Sequence, residues 1–408
     1  MAAVAVLGAG LTGASVALEL ALAGVPVTLV ERDAVPFNRA SLRNEGKVHL
    51  GLIYANDPTL ATARLQLRGA LSFGRLLRRW LGPAAGRLRR SSPFVYAVAR
   101  DSLLAPDALA AHYAAVQRLY DGARAADPQA DYVGTVPEQL CERIDPASLE
   151  PRLASRHFTA AFRTAEVAVD PAELAQHVRA ALLAHPRVAL RSGHRVASVE
   201  RLGGLHRVRG DGAAGPWSLD ARQVVNCLWE ERLRIDRGMG LEPEPGWLHR
   251  LKYRVVARLP RALRGGPSVT MVLGPYGDVV VRDDGTAYFS WYPRGLRGWT
   301  HDLAVPAEWD AACRGDVGPD AATAQARDVL AAIDAWYPGV ADSEPLLVDA
   351  GAIVSWGRTD VDDPASGLHD RTRVGVRSAE RYHSVDPGKL TTAPLFGELA
   401  AQRVLALA

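Results

Sequence analysis

The sequence predicts an α/β protein in two parts. One part is a domain on a parallel sheet, assembled from separated stretches of chain. The other is an inserted α+β domain built on a broad antiparallel sheet. Three observations carry this. Residues 3–33 read as a buried strand, a glycine turn, a helix and a second strand. Four short alternating runs between 252 and 292 are separated by turn signals. The closing stretch returns to a glycine-led helix start at 388–392.

Residues 3–7 (AVAVL) form an apolar run suited to a strand buried on both faces. Gly8, Gly10 and Gly13 then make G-x-G-x-x-G. The first glycine allows a sharp turn, the second lets backbone approach a pyrophosphate, and the third lets the helix lie close to the strand. Leu11 and Thr12 stand between them, where a helix N-terminus directs N–H groups at an anion. Residues 14–23 are good helix formers, Gly24 suits a C-cap, and 27–30 is the second strand. Glu31 ends that strand, about 20 residues past the glycines, where an acid accepts hydrogen bonds from a ribose. Arg32 follows it. These elements in register define a Rossmann-like, dinucleotide-binding domain.

Further elements follow in order. Asn44, Gly46, Lys47, His49 and Gly51 lie in NEGKVHLGLIYAND (44–57), and apolar residues at helical spacing continue from Pro58 to Gly82–Pro83. Strand 94–98, helix 106–125 and a region of helical turns at 137–153 come next. Strand 166–170 leads into a helix opened by Asp170–Pro171, and strands follow at 188–190, 195–201, 206–209, 218–221 and 223–227. Composition shifts near Gly246. Strands are expected at 252–259, 268–273, 278–282 and 286–292, a helix at 319–337, and strands at 346–356 and 373–377. A final helix, 393–407, is capped by Thr391 or Thr392 and has Pro394 in its first turn. The expected division assigns 1–90, 145–246 and 346–408 to the first domain, and 91–144 and 247–345 to the second.

The 408 residues suffice for two or three domains. A net charge of +3 is too mild to argue for nucleic acid and is compatible with an anionic substrate. Cys141, Cys227 and Cys313 are far apart and form no C-x-x-C pair, so no metal site is expected and a reducing, cytoplasmic setting is the natural reading. No signal peptide and no integral membrane segment are expected. Arg75, Arg78, Arg79, Arg87, Arg89 and Arg90 read as a solvated helix face, with an anionic membrane or partner as the rival reading.

A chain that opens on the glycine fingerprint and closes on Gly388, Lys389, Leu390, Thr391 and Thr392 has glycine-led helix starts for both polar ends of one cofactor. That arrangement suits FAD, whose ring gains negative charge on reduction and is stabilised by a helix dipole or a lysine. With NEGKVHLGLIY, the Asp170–Pro171 helix start and the VVN strand at 224–226, the chain resembles FAD-dependent oxidoreductases of the D-amino-acid-oxidase superfamily. His49-Leu50-Gly51-Leu52 and 388–392 look most like the glycerol-3-phosphate and 2-hydroxyglutarate dehydrogenase branches. The resemblance implies an extended FAD with its adenine at the fingerprint, its ring at the domain interface, and the inserted sheet roofing the substrate. Gly8, Gly10, Leu11, Thr12, Gly13, Glu31, Arg32, Asn44, Gly46, Lys47, Gly388, Lys389, Leu390 and Thr391 would hold the cofactor. Where the family has a small-small-Gly segment after VVN, this chain has Cys227, Leu228 and Trp229, so no cofactor contact is carried onto them. Residues 366–371 imperfectly match a Ser-Arg-x-His segment, which makes His369 and Arg371 further candidates.

The catalytic candidates are His49, Arg254 and Tyr288. His49 reads as a base taking a hydroxyl proton while hydride moves to flavin N5; as a hydrogen-bonded loop histidine; or as a covalent link to the flavin. Lys47 reads either as a partner of a phosphate or substrate carboxylate, or as a solvated loop lysine. Alternation puts Tyr288, Ser290 and Tyr292 on one face of a strand and Phe289 and Trp291 on the other. Arg254 and Lys252 read as carboxylate holders or as a solvated sheet face. Together these readings give an oxidoreductase that removes hydride from a CH–OH or CH–NH carbon of a small anionic substrate. His49 favours the hydroxy compound over an amino acid or amine. A flavin monooxygenase-like enzyme and a non-catalytic nucleotide-binding protein are the rivals, and the electron acceptor is open.

Overall fold

The computed structural model describes residues 2–357, 363, 365, 367 and 370–407. Among the described residues its first sheet has eight strands, six of them in the order Gly375–Ala379, Tyr382–Asp386, Gly215–Asn226, Ala2–Leu7, Val27–Val30, Val188–Arg191. The opening strand lies between two parallel neighbours, with Val4 opposite Val27 on one side and Gln223 on the other. That explains its unbroken apolar run: Val4 to Leu7 are buried on both faces. A meander, His194–Leu202 and Leu205–Gly212, extends the Gly215–Asn226 strand antiparallel.

Helix Leu11–Leu22 crosses the sheet against helix Ala393–Leu405. Eleven of its twelve residues are buried, so it is apolar all round rather than amphipathic. The two helices approach closely because Gly397 has no side chain: a Cβ there would stand 2.3 Å from that of Ser15. Gly8 makes the turn into the helix at φ +89°, and a Cβ on Gly13 would stand 1.8 Å from the Gly8 carbonyl oxygen.

The second sheet runs Leu296–Thr300, Trp247–Arg258, Thr286–Trp291, Gly277–Val281, Ser268–Val272, Phe94–Ala99, Phe158–Thr164, Cys141–Ile144, and Glu344–Trp356 also pairs with Trp247–Arg258. Every pairing is antiparallel except Ser268–Val272 with Phe94–Ala99, which is parallel. Helix Pro319–Asp334 covers one face, where Phe289 joins Val329, Ile333 and Trp336 in a core. Tyr288, one residue earlier, turns to the opposite face and joins the core shared with the first sheet. The predicted alternation therefore holds, although Tyr292 begins a short helix, Tyr292–Gly295, rather than ending the strand.

Sheet membership moves two expected boundaries. Phe158–Thr164 pairs with Phe94–Ala99, so the second sheet reclaims chain assigned to the first domain from 145. Glu344–Trp356 pairs with Trp247–Arg258 along nearly its whole length, so the return to the first sheet comes after 356, not at 346. Residues 166–170 make only isolated bridges, Lys47 with Ala168 and Arg90 with Val169. Strand Tyr382–Asp386 was not expected, because His383, Ser384 and Asp386 carry no apolar signal. They are buried by satisfying one another's neighbours: His383 with Gln223 and Ser378, Ser384 with Asp236, Asp386 with Arg232.

The closeness of helix and strand at Gly13 sets a test. Gly13→Ala drives a methyl group into backbone and is expected to destabilise the protein by about 1–3 kcal/mol, read as a fall in the urea midpoint. An unchanged midpoint would contradict this packing.

Candidate active site

One cleft runs from the Gly8 turn, along the seam between the sheets, to Lys389 and Tyr288. At its first end lie Gly8, Gly10, Leu11 and Thr12. The helix begins there with no side-chain cap from Gly10, so its N-terminus is presented to the cleft. The Leu11 N–H donates to Ser41 Oγ at 2.8 Å, and a Cβ on Gly10 would stand 2.9 Å from that oxygen. Gly13 packs behind this wall rather than lining it. Glu31 lines the cleft and accepts the N–H groups of Ala9 (2.8 Å) and Asp33 (2.9 Å). Burial pushes its carboxyl above the usual range, against those two hydrogen bonds.

Arg32 lies in the cleft wall but is ion-paired to Glu230, with Glu231 at 4.0 Å. Arg39 beside it pairs with Asp33 at 2.9 Å and Asp310 at 2.8 Å. Cys227, Leu228 and Trp229, which the sequence pattern leaves out of the site, all line the cleft. Trp229 holds φ +51° and donates its indole N–H to Ala352 O at 2.8 Å, bridging the two sheets.

The middle of the cleft is the segment 43–49. Asn44 lines it, although its side chain is spent on its own loop, donating to Ala40 O and Ser41 O and accepting from Gly46 N–H, each at 2.8 Å. Gly46 packs away from the cleft at φ +79°, where a Cβ would meet Val169 O at 2.0 Å. Two expectations are corrected here. Lys47 is neither a solvated lysine nor free for a phosphate. Its ammonium is buried against Asp278 (2.7 Å) and Thr270, over the Phe94 ring at 3.9 Å. Arg254 grips a carboxylate with both arms, but the carboxylate is that of Asp349, its direct partner on the neighbouring strand (2.6 and 3.0 Å). Arg43 shares the same aspartate.

At the far end stand His49, Glu45, Tyr54, Tyr288, Tyr292, Arg250, Lys252, Arg371, Gly388, Lys389 and Leu390. The His49 N–H donates to Thr391 Oγ1 at 2.9 Å, so Thr391 supports the site from behind and does not line it. Thr392 bonds Pro387 O, so neither threonine caps the last helix through its side chain. Among the described residues, neither ring nitrogen of His49 has a hydrogen-bond partner. Glu45 lies 3.8 Å from Nε2 and Glu166 lies 3.9 Å from Nδ1, too long for hydrogen bonds. Burial lowers the His49 pKa despite those carboxylates, so the imidazole is neutral near pH 7.

The cations at this end outnumber the acids. Burial depresses Lys389, helped by Arg371, Lys252 and Arg250, to about 8. Burial also works against the Lys252 ammonium, but Tyr288, Tyr292, Asp278 and Glu45 raise it above the usual range. Lys252 sits over the Tyr292 ring at 4.4 Å. Burial would raise Glu45, yet His49, Lys389 and Lys252 hold it well below the usual carboxylate range. Among the described residues, Lys252, Lys389 and Arg371 form no ion pair within 4.0 Å. His369 lies outside the described residues, whereas Arg371 is buried in the cleft wall. Glu45, Ser41, Glu166 and Arg250 escaped the sequence reading because no motif marks them. Arg75, Arg78, Arg79 and Arg89 are engaged by acids of this chain, such as Glu398, Asp131, Glu19 and Asp170.

A glycine turn at a parallel sheet and an uncapped helix N-terminus opening on a long cleft are what a dinucleotide cofactor requires. The chain belongs to the DAO family of FAD-dependent oxidoreductases, whose sequence profile matches residues 3–403, and FAD is its cofactor. Its fold is similar to that of glycine oxidase from Geobacillus kaustophilus (17% identity, TM-score 0.67, covering 98% of this chain and 94% of that one). L-proline dehydrogenase from P. horikoshii is also similar (14%, TM-score 0.66, 99% and 93%). So is the L-alpha-glycerophosphate oxidase of Mycoplasma pneumoniae with FAD bound (17%, TM-score 0.65, 99% and 94%). No curated protein sequence gives a significant match. Among the described residues no helix is long and apolar enough to cross a membrane, and no side-chain cluster suits a metal ion.

Asp349 compensates two buried arginines. Asp349→Ala is expected to cost about 3–5 kcal/mol, measured by chemical denaturation, whereas the exposed pair Arg163–Glu142 should contribute about 0–1 kcal/mol.

Proposed function

We propose that this enzyme oxidises a small anionic substrate at a carbon bearing a hydroxyl group, with His49 as the base. Gly8, Gly10, Leu11, Thr12 and Glu31 would hold the adenosine and pyrophosphate, and Gly388, Lys389 and Leu390 would lie along the flavin edge. Bound FAD supplies the acceptor for the hydride. The observation that carries the reading is His49: buried, neutral and without a hydrogen-bond partner in the wall of the cleft. A neutral imidazole with an open nitrogen can take a hydroxyl proton as the C–H bond breaks. Lys252 and Arg371, both without an ion pair at the same end, would hold the substrate's anionic group. Arg371 offers a planar fork for it. Arg254 is committed to Asp349, and Tyr288 serves as cleft wall beside Lys252. A neutral amine needs no protein base, so His49 is what separates a hydroxy acid from an amino acid here. Three free thiols suit a reducing compartment and a cytoplasmic enzyme.

Anaerobic flavin bleaching on a panel of 2-hydroxy acids, polyol phosphates, amino acids and amines tests this. Bleaching by a hydroxy compound is expected, and His49→Ala should slow it by about 100-fold or more. Bleaching by amines alone would overturn the hydroxy assignment. Lys252→Met and Arg371→Met should each raise KM by about tenfold or more.

The pH profile follows from the same groups. The His49 pKa lies below 6.5, so the base is competent down to slightly acidic pH. Lys389 loses its proton above about 8, and with it the cation at the flavin edge. The bleaching rate is expected to rise through an apparent pKa under 6.5 and to fall near 8. Lys389→Met should abolish the alkaline fall.

A further inference from the structure

We propose that Glu166 is a positioning residue for His49: it holds the backbone that carries the ring through the Leu50 N–H, and its carboxyl group, 3.9 Å from Nδ1, faces the charge the ring gains. The proposal rests on the reading of His49 as base. Glu166 is fully buried. One carboxyl oxygen accepts the Leu50 N–H at 2.7 Å, the other accepts the Tyr96 hydroxyl, and the second oxygen lies 3.9 Å from His49 Nδ1. Both donors are neutral. Among the described residues, His49 is the only group within 4.0 Å that can carry a positive charge to this carboxylate. A carboxylate buried without a cation is costly, and a positive charge placed beside it lowers that cost.

The reaction supplies one. When the substrate hydroxyl gives its proton to His49, the O–H bond breaks, a second ring N–H forms, and the substrate oxygen becomes the carbonyl of the product as hydride leaves its carbon. The imidazolium so formed stands beside Glu166 in a water-poor interior, where their attraction is stronger than in solvent. The hydrogen bond from Leu50, the next residue, fixes the backbone that carries the ring. Glu45, 3.8 Å from Nε2, also favours the protonated ring, but it lines the cleft, where His49, Lys389 and Lys252 hold it well below the usual carboxylate range.

Other charges bear on the ring and are part of the expectation. Lys47 and Lys389 oppose protonation of His49, Glu45 favours it, and the Tyr54 ring meets it edge-on at 5.7 Å. Around Glu166 stand Tyr54, Tyr96, Tyr113, Tyr132 and Cys141, all with hydroxyl or thiol groups that burial pushes up and that stay protonated.

The experiment is a titration of the His49 ring in 13C-histidine-labelled holoenzyme by NMR, with His49→Asn to assign its signal. Glu166→Gln keeps an acceptor for Leu50 and removes the charge. It is expected to lower the His49 pKa by about one unit or more, and to move the acid limb of the bleaching profile by the same amount with a lower plateau. Tyr96→Phe leaves the charge and removes a competing donor, so it should raise the His49 pKa. Should Glu166→Gln fail to fold, Tyr96→Phe decides alone. A His49 pKa unmoved by the variants that fold would overturn the proposal. A bleaching profile whose acid limb survives in His49→Asn would instead overturn the base assignment, while the ring titration still reports on Glu166.

Discussion

Residues 43–51 run through the seam between the two sheets, and the site depends on how that segment is pinned. Arg43 reaches Asp349 on the second sheet, where Arg254 holds the other side of the same carboxylate. Lys47 reaches Asp278, and the N–H groups of His49 and Leu50 are tied to Thr391 and Glu166. Each anchor comes from a different part of the chain. A buried ion pair stabilises less than its geometry suggests, because desolvation opposes it, but breaking one is expensive. The seam is therefore fixed in one arrangement rather than made strong. His49 is left with an immobile backbone and an uncommitted ring.

The electrostatics divide along the same line. At the fingerprint end, Arg32 and Arg39 are balanced by Glu230, Asp33 and Asp310. At the lysine end, Lys252, Arg371 and Lys389 make no ion pair within 4.0 Å among the described residues, and Asp278, Asp386 and Glu45 act on them from farther off. A cleft with little free charge at one end and an excess of positive charge at the other selects where a small anion comes to rest. Burial, and after it the same excess, depresses Lys389, so the anion and the lysine are coupled: a bound anion would favour its ammonium.

The parts legible in the sequence are those whose physics is local. Gly8, Gly10 and Gly13 declare a turn and a close helix–strand contact through their own spacing, and the alternation around Tyr288 declares which face a residue takes. Lys47 and Arg254 were misjudged for the opposite reason. Their partners, Asp278 and Asp349, lie 231 and 95 residues away, and spacing along the chain cannot register them. Glu166 was passed over inside a stretch read as a strand, because a single acid among apolar residues carries no motif. Strand Tyr382–Asp386 was invisible since its burial is achieved through polar partners. Local rules mark the glycine-turn end of the cleft; the lysine end is built from long-range pairs.

Trp229 shows how a departure from the family pattern is absorbed. The pattern has a glycine there, and the backbone keeps the conformation a glycine would suit, φ +51°. For a bulky side chain that conformation costs about 1–3 kcal/mol. The indole offsets part of it by donating to Ala352 O, a carbonyl of the second sheet. A residue that looks like a defect in a cofactor motif is thus a strut across the seam. It makes a contact between the sheets and acts on the same seam that Arg43, Lys47 and Glu166 hold.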